Sequence, residues 1–295
     1  MNDDAPWLIL GPGALGRLLA ARLTGRVPIA LIGRRASERV LSLTTPEGET
    51  LTRELPRLTA EHAPAHPALL LVTTKAHATE AALDELAAHI PDTTPLVLWQ
   101  NGYRVQEPLT RRWPGAVLCA TTTEGAYTQG DDAVMHAGHG HTFLGHLDGK
   151  HGELAEHIAR TLTDAGLSAD ACTDIRRRLW HKLAVNAAIN PLVARFRIRN
   201  GQLRDWPFRP MVDAIIAEVA AIMAAEKIEA PPDGWAALVW RVVEGTAGNR
   251  ASMLQDVLAG RPTERDAILG PLLDAAARHR LDVPALATLY RDMPR

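Results

Sequence analysis

The chain has 295 residues, of which 46% are hydrophobic and 22% are charged, and its formal net charge is −2. This composition is that of a folded globular protein, and the length favours two domains over one. The small net charge provides no field that would recruit nucleic acid or an anionic membrane, so neither is expected as a partner.

The cysteines and the N-terminus indicate the compartment. Cys119 and Cys172 are far apart in the sequence and form no CxxC spacing, which favours reduced thiols in the cytosol. The acidic N-terminus, Met1–Asp4, lacks the positive charge of a secretory signal, and no run reaches the roughly 18 apolar residues of a membrane span. We therefore expect a cytoplasmic protein.

Short apolar runs alternate with helix-like segments through the first half of the chain, a pattern typical of buried parallel strands in a doubly wound sheet. The predicted strands are Trp7–Leu10, Ile29–Ile32, Leu69–Thr74, Leu96–Gln100 and Val117–Thr123. Leu15–Leu23 is predicted as a helix between the first two. Alternating residues and glycines in Ala133–Leu147 predict an antiparallel hairpin, and Glu153–Ala165 is predicted as an amphipathic helix that Gly166 ends.

After about Cys172 the sequence contains no convincing strand. The predicted helices are Ile175–Val193, Met211–Glu226, Trp235–Thr246, Ser252–Leu258, Thr263–His279 and Pro284–Asp292. The sequence therefore predicts an α/β fold with a Rossmann-like doubly wound sheet in residues 1–172 and an all-α domain in residues 173–295.

A glycine motif follows the first predicted strand. The residues Gly11, Pro12, Gly13, Ala14, Leu15 and Gly16 match G-x-G-x-x-G and open the first predicted helix. In that context the backbone can approach a dinucleotide pyrophosphate at a helix N-terminus. An ordinary strand–helix turn is the alternative interpretation.

The end of the second predicted strand bears on the choice between NAD and NADP. An NAD site usually has Asp or Glu there, whereas this chain has Gly33-Arg34-Arg35. A guanidinium can bind a 2′-phosphate through two hydrogen bonds, so Arg34 is predicted to bind that phosphate of NADPH, with Arg35 as a candidate helper. A solvated arginine pair is the alternative.

Lys75 follows the third predicted strand and Asn101 follows the fourth. Ligands of doubly wound sheets bind at the carboxyl ends of strands, so both residues are predicted to meet the cofactor or the substrate. Asn101-Gly102 is also ordinary turn chemistry, which remains an alternative for Asn101.

Three polar residues recur in an otherwise apolar helix. Lys182, Asn186 and Asn190 drift only about 40° per step and therefore share one face. Burying them without partners is unfavourable, so they face either water or a polar ligand. Farther along, Ser252 with Gln255 matches a capping box and Thr263 an N-cap before the acidic Glu264, roles that would need no function.

The chain resembles the ketopantoate reductases, also called 2-dehydropantoate 2-reductases, over nearly its whole length. The motifs that carry the resemblance are residues 11–16, Thr74-Lys75, Gln100-Asn101-Gly102, Thr121–Thr123, residues 180–192, Asn200-Gly201, residues 252–256 and residues 260–266. The chain departs from the family at Arg250 and Ala251, where small polar residues are frequent, and at Glu124-Gly125.

The resemblance implies reduction of ketopantoate to (R)-pantoate with NADPH, a step toward pantothenate and coenzyme A. It implies that Lys182 is the general acid, with Glu264 near it, the substrate hydroxyl and the nicotinamide ribose. The substrate-binding residues that it implies are Asn186, Asn190, Asn200 and Ser252. It also implies that Asn101 and the backbone near Ala126 contact the nicotinamide half of the cofactor, and Asn101 is a candidate for substrate binding as well.

Other interpretations stay open at this point. One is a reductase of a different 2-keto acid, and another is a non-catalytic protein that senses NADPH. His136, His139, His141 and His146 are predicted as exposed hairpin residues, and no recognised metal-ligand spacing includes them, so no metal site is predicted. A small 2-keto acid is the expected partner of a monomer or homodimer.

Overall fold

The structure of the chain, a computed structural model, describes residues 5–37 and 40–293. The acidic segment Met1–Asp4, from which we argue against a secretory signal, lies outside the described residues. Among the residues that the structure describes, no helix has both the length and the hydropathy needed to cross a bilayer.

The chain divides into two compact units. Unit 1 comprises Met1–Gln100 and Val105–Arg176, and unit 2 comprises Asn101–Arg104 and Arg177–Arg295. The short segment Asn101–Arg104 thus groups with the C-terminal part of the chain, which the sequence pattern does not indicate. The functional roles of residues 1–172 and 173–295 stay predictions.

Unit 1 contains the β-structure of the chain. The strands are β1 (Trp7–Leu10), β2 (Ile29–Ile32), β3 (Leu41–Thr44), β4 (Thr50–Arg53), β5 (Arg57–Leu58), β6 (Leu69–Val72), β7 (Leu96–Leu98), β8 (Val117–Thr122), β9 (Gly125–Thr128), β10 (Ala133–Gly138), β11 (Thr142–Gly145) and β12 (Ala169–Ala171). Eight of them form one sheet in the order β12-β11-β8-β7-β6-β1-β2-β5.

The centre of this sheet is parallel and fully buried. β1 pairs in parallel with both β2 and β6, and β7 and β8 continue the parallel order. Every residue of β1, β6 and β7 is buried, which explains their uninterrupted apolar sequence. The strand order reverses between β1 and β6, so the predicted doubly wound sheet and its five strands are confirmed.

The predicted hairpin over Ala133–Leu147 is wrong. β10 belongs to a second, four-stranded sheet in the order β4-β3-β10-β9, whereas β11 pairs with β8 and β12 in the first sheet. The connection at residues 139–141 lies against residues 123 and 124, since the carboxylate of Glu124 accepts a hydrogen bond from the Gly140 N–H at 2.9 Å. Gly138 and Gly140 lie in or beside this connection, through which the chain passes from one sheet to the other.

Ten α-helices lie within the described residues. They are α1 (Ala14–Leu23), α2 (Ala76–Ala87), α3 (Gln106–Arg112), α4 (Gly152–Asp164), α5 (Ile175–Phe196), α6 (Phe208–Ala225), α7 (Gly234–Gly245), α8 (Ser252–Leu258), α9 (Arg265–His279) and α10 (Pro284–Asp292). All six helices predicted after Cys172 are present, and that part of the described chain after β12 contains no strand. The all-α C-terminal region is confirmed.

The interior of unit 2 follows the predicted helical spacing. In α6, the buried residues include Ile215, Val219, Ile222 and Met223, which recur on one face. A tryptophan is most simply expected in a core or between domains, but Trp206 is 83% exposed and is not a core residue.

Candidate active site

The glycine loop lies between β1 and α1. A side chain at Gly16 would lie 2.6 Å from Thr73 Oγ1 and would also strike the carbonyl of Gly11, so this glycine permits close packing of α1. A side chain at Gly13 would meet no atom of the described residues within 4 Å, and the φ of −77° at this position suits any residue. Contacts within the protein therefore do not require glycine at 13, whereas a bound pyrophosphate would.

The beginning of α1 fits an anionic group. Gly13 is its N-cap, no side chain caps the helix, and the first turn contains no acidic residue. Such a terminus presents N–H groups and the positive end of the helix dipole. Residues 11–16 therefore fit the pyrophosphate of a dinucleotide, with Thr73 Oγ1 holding the loop by donating to the Gly11 carbonyl at 2.8 Å.

The other predicted cofactor residues lie on separate elements of unit 1. Arg34 and Arg35 are exposed in the bend that follows β2. Lys75 is half-buried and is the N-cap of α2, directly after β6. Ala126 is half-buried in β9, a strand of the second sheet. Arg34 and Lys75 thus follow strands that flank β1, where an adenosine half would be bound.

The segment Asn101–Arg104 is attached to the start of α9. Gly102 has a φ of +82°, and a side chain there would strike the carbonyl of Ala267. The Tyr103 N–H donates to that carbonyl at 3.1 Å. Arg104 forms ion pairs with Asp266 at 3.2 Å and with Asp274 at 2.6 Å. Four consecutive residues are therefore held in one place by backbone and side-chain contacts.

These contacts bring together three of the predicted site residues. Asn101 Nδ2 donates to Glu264 Oε2 at 3.2 Å, and Glu264 is only 5% exposed at the N-cap of α9. Lys182, half-buried on α5, interacts electrostatically with Glu264. A lysine, a carboxylate and an amide from three separate parts of the chain therefore form one polar cluster within unit 2.

The cluster adjusts the acidity of its lysine. Burial lowers the pKa of Lys182 to about 8, well below the ordinary value of a lysine, and the negative charge of Glu264 opposes that shift. An ammonium group with this pKa is still mostly protonated at neutral pH and releases its proton readily. A proton donor is most effective when its pKa lies near the working pH, so Lys182 suits general acid catalysis.

The remaining predicted substrate residues lie near the ends or along the faces of helices in unit 2. Asn186 and Asn190 follow Lys182 on the same face of α5, and Asn190 is buried. Asn200 begins a 3₁₀ helix over Asn200–Arg204, and its Nδ2 donates to Thr246 Oγ1 at 2.9 Å. Ser252 is exposed at the first position of α8. The asparagines of α5 are thus the ones that share an element with Lys182.

The predicted capping box of α8 is wrong, and the predicted N-cap of α9 lies one residue away from the observed one. The N-cap of α8 is Ala251, and no side chain caps that helix, so the Ser252–Gln255 capping box does not form. The N-cap of α9 is Glu264 rather than Thr263, although the Thr263 hydroxyl accepts a hydrogen bond from the Arg265 N–H at 3.4 Å. Each helix begins one residue away from the position that its cap predicts. Neither the Ser252 nor the Glu264 side chain caps its helix through a hydrogen bond to the backbone. The Glu264 carboxylate instead accepts a hydrogen bond from Asn101.

The four histidines after β9 are not a group of exposed side chains. His136 is fully buried, and its Nε2 lies 2.6 Å from Glu124 Oε2. His146 is also buried. His139 pairs with Glu47 and His141 with Asp170. Within the described residues, no three His, Cys, Asp or Glu side chains are grouped so that they could hold a metal ion.

Sequence reasoning missed two residues that shape the site. Thr73 holds the glycine loop, and Arg104 attaches Asn101 to the helix that carries Glu264. Thr73 directly precedes the Thr74-Lys75 motif, which is a usable signal. Arg104 has no such signal, because its partners are more than 160 residues away in sequence.

Comparison with known proteins identifies the family. Residues 7–149 match the family model "Ketopantoate reductase PanE/ApbA", and residues 174–293 match its C-terminal model. The 2-dehydropantoate 2-reductase of Vibrio cholerae is 36% identical over 290 residues, which are 97% of this chain and 96% of that protein.

Solved structures share the fold. D-mandelate dehydrogenase, solved with NADH and anilino(oxo)acetate, matches with a TM-score of 0.87 at 24% identity, over 97% of this chain and 96% of that one. The 2-dehydropantoate 2-reductase of Methylococcus capsulatus matches with a TM-score of 0.83 at 23% identity, over 97% and 94%. At these identities the similarity concerns the fold alone.

Proposed function

Since the chain belongs to the ketopantoate reductase family, we propose that it reduces 2-dehydropantoate to (R)-pantoate with NADPH, a step toward pantothenate and coenzyme A. The observation that carries this proposal is the cluster of Lys182, Glu264 and Asn101, in which the lysine has a pKa of about 8. The cytoplasmic location and the monomeric or homodimeric state stay predictions.

Lys182 acts as the general acid of the proposed reaction. When bound, the nicotinamide supplies a hydride to the carbonyl carbon of the 2-keto acid. The Lys182 ammonium would donate a hydrogen bond to the carbonyl oxygen as negative charge grows there, and then transfer a proton from Nζ to that oxygen as the alcohol forms. The negative charge of Glu264 favours the protonated lysine before this step.

The amide side chains orient the substrate in this proposal. Asn186, Asn190 and Asn200 can each donate and accept a hydrogen bond, which suits a hydroxylated carboxylic acid. The Oδ1 atom of Asn200 is buried and has no hydrogen-bond partner among the described residues. An unsatisfied buried acceptor is unfavourable, and a hydroxyl group of the substrate would satisfy it. Ser252 adds an exposed hydroxyl at the start of α8.

The proposal is tested by following the loss of NADPH absorbance with ketopantoate, beside a panel of other 2-keto acids and with NADH as the control. We expect the highest kcat/KM with ketopantoate and NADPH. A preference for another 2-keto acid would favour the alternative reductase, and cofactor binding without turnover would favour the non-catalytic sensor. Faster turnover with NADH would contradict the role of Arg34.

The pKa of Lys182 predicts the pH dependence of the reduction. Because the protonated lysine is the acid, kcat/KM is expected to fall as the pH rises through about 8, well below the ordinary range of a lysine. Removing the charge of Glu264 lowers the pKa of Lys182 further, so the falling limb of Glu264→Gln should lie at lower pH. Rate profiles of both proteins between about pH 6 and about pH 10 check this, because that range extends to both sides of the lysine pKa. A limb that Glu264→Gln leaves in place would refute the coupling.

A further inference from the structure

An arginine that the proposed reaction does not yet use lies beside the end of β2. Arg57 is the first residue of β5, which pairs in parallel with β2 at the edge of the sheet, with Arg57 opposite Leu31. The Gly33 N–H donates to the Leu58 carbonyl at 2.8 Å and extends this pairing. Arg57 therefore begins next to the strand whose carboxyl end leads into Arg34 and Arg35.

The side chain of Arg57 extends across Gly33. A Cβ atom on Gly33 would lie 2.8 Å from both Arg57 Cδ and Pro12 Cγ, so the arginine stem and the glycine loop border the same point. Beyond the stem, Arg57 Nε donates to the Arg35 carbonyl at 2.8 Å. The guanidinium of Arg57 is therefore held beside the Arg34-Arg35 bend, on the side that faces the glycine loop.

The guanidinium keeps donors for a ligand. Within residues 5–37 and 40–293, its Nε is the atom that hydrogen-bonds to the protein, and its two terminal nitrogens have no such bond. The neighbouring Arg17 differs, because it is buried and donates to the carbonyls of Pro12 and Gly130 at 2.8 Å. Burial and then the positive charge of Arg57 lower the pKa of Arg17, which indicates that the two cations are close.

We propose that Arg57 is a second specificity-determining residue for the 2′-phosphate of NADP, binding it together with Arg34. This inference rests on the proposed use of NADPH. A phosphate monoester carries a charge of about −1.5 to −2 at neutral pH and three acceptor oxygens, which is more than one guanidinium can satisfy. Two arginines at the end of β2, one exposed and one held by a backbone carbonyl, provide the second set of donors.

The proposal has one close structural rival, in which Arg57 only supports the backbone of Arg34. A double-mutant cycle separates the two roles. If Arg57 acts only through Arg34, its removal has no effect once Arg34 is absent. If it binds the phosphate itself, its removal weakens phosphate binding in both backgrounds.

The experiment measures binding of 2′,5′-ADP and of 5′-AMP by calorimetry, because these probes differ only in the 2′-phosphate. The proteins are wild type, Arg57→Ala, Arg34→Ala, the double variant and Arg53→Ala. Arg53 is the matched control, since it is half-buried on β4 and its Nε donates to the Ala21 carbonyl at 3.1 Å. Thermal unfolding of each variant shows that it is folded.

We expect Arg57→Ala to weaken 2′,5′-ADP by roughly tenfold or more, the loss of one charge-assisted hydrogen bond. It should do so with and without Arg34, while 5′-AMP binding and the Arg53→Ala control stay unchanged. Equal weakening of both probes, or no effect in the Arg34→Ala background, would overturn the assignment of Arg57 alone. A wild type that does not prefer 2′,5′-ADP would overturn the proposed NADPH use and the role of Arg57 with it.

Discussion

Replacing Lys182 by alanine is expected to lower kcat for ketopantoate reduction by about 10²- to 10⁴-fold while leaving the affinity for NADPH nearly unchanged, the range typical of a lost general acid. The physical reason is that the carbonyl oxygen loses both a nearby positive charge and its proton source. Lys182 lies in unit 2 with Glu264, whereas the glycine loop is in unit 1, so the two functions should separate. Stopped-flow turnover and direct NADPH titration measure the two quantities independently.

Two further variants sharpen this test. Lys182→Arg keeps a positive charge but cannot release its proton at these pH values, so it should remain strongly impaired if proton transfer matters. Lys227→Ala is the matched control, because Lys227 is an exposed lysine of unit 2 in the turn after α6. Its replacement should leave kcat unchanged. Near-normal turnover of Lys182→Ala would remove this residue from the role of acid.

Replacing Arg34 by alanine is expected to weaken NADPH binding by roughly 10- to 100-fold, since a charge-assisted hydrogen bond contributes about 1.5–3 kcal/mol. Arg34 is exposed in the bend after β2, and its guanidinium suits two hydrogen bonds to the 2′-phosphate. NADH lacks that phosphate, so its affinity should change little. Fluorescence titration with both nucleotides gives the ratio of the two effects.

The control for Arg34 lies at the other end of the same strand. Arg26 is an exposed arginine just before β2, remote from the carboxyl end of the sheet, and Arg26→Ala should alter neither affinity. A parallel loss of NADH and NADPH affinity in Arg34→Ala would show that the residue supports the loop rather than the phosphate. High salt should reduce the effect of Arg34, because its charge is exposed.

Local patterns in the sequence were sufficient for the elements that carry the site. β1, β6 and β7 are apolar on both faces because both faces are buried. The uninterrupted apolar runs therefore predict these strands directly from the sequence. The spacing of Lys182, Asn186 and Asn190 places them on one helical face without any knowledge of the fold. The glycine motif could be placed between β1 and α1 because the apolar strand and the helix adjoin it directly in the sequence.

Local patterns failed where the decisive partner is distant in sequence. The stretch Ala133–Leu147 alternates as a hairpin would, yet its two strands pair with β9 and β3 and with β8 and β12 instead. His136 is predicted from the sequence as an exposed hairpin residue, but it is buried and its ring lies against the buried carboxylate of Glu124. Helices α8 and α9 also begin one residue away from their predicted positions, and the Glu264 side chain contacts Asn101, which is remote in sequence.

The sequence by itself determined the fold class, the glycine loop and the polar face of α5, because these depend on residues within a few positions of each other. Only the tertiary structure decided that Asn101 meets Glu264, that Lys182 has a pKa of about 8, and that Arg57 lies beside Arg34 and Arg35. Burial and the distance between charges arise from the packing of remote segments, and no periodicity along the chain encodes either quantity.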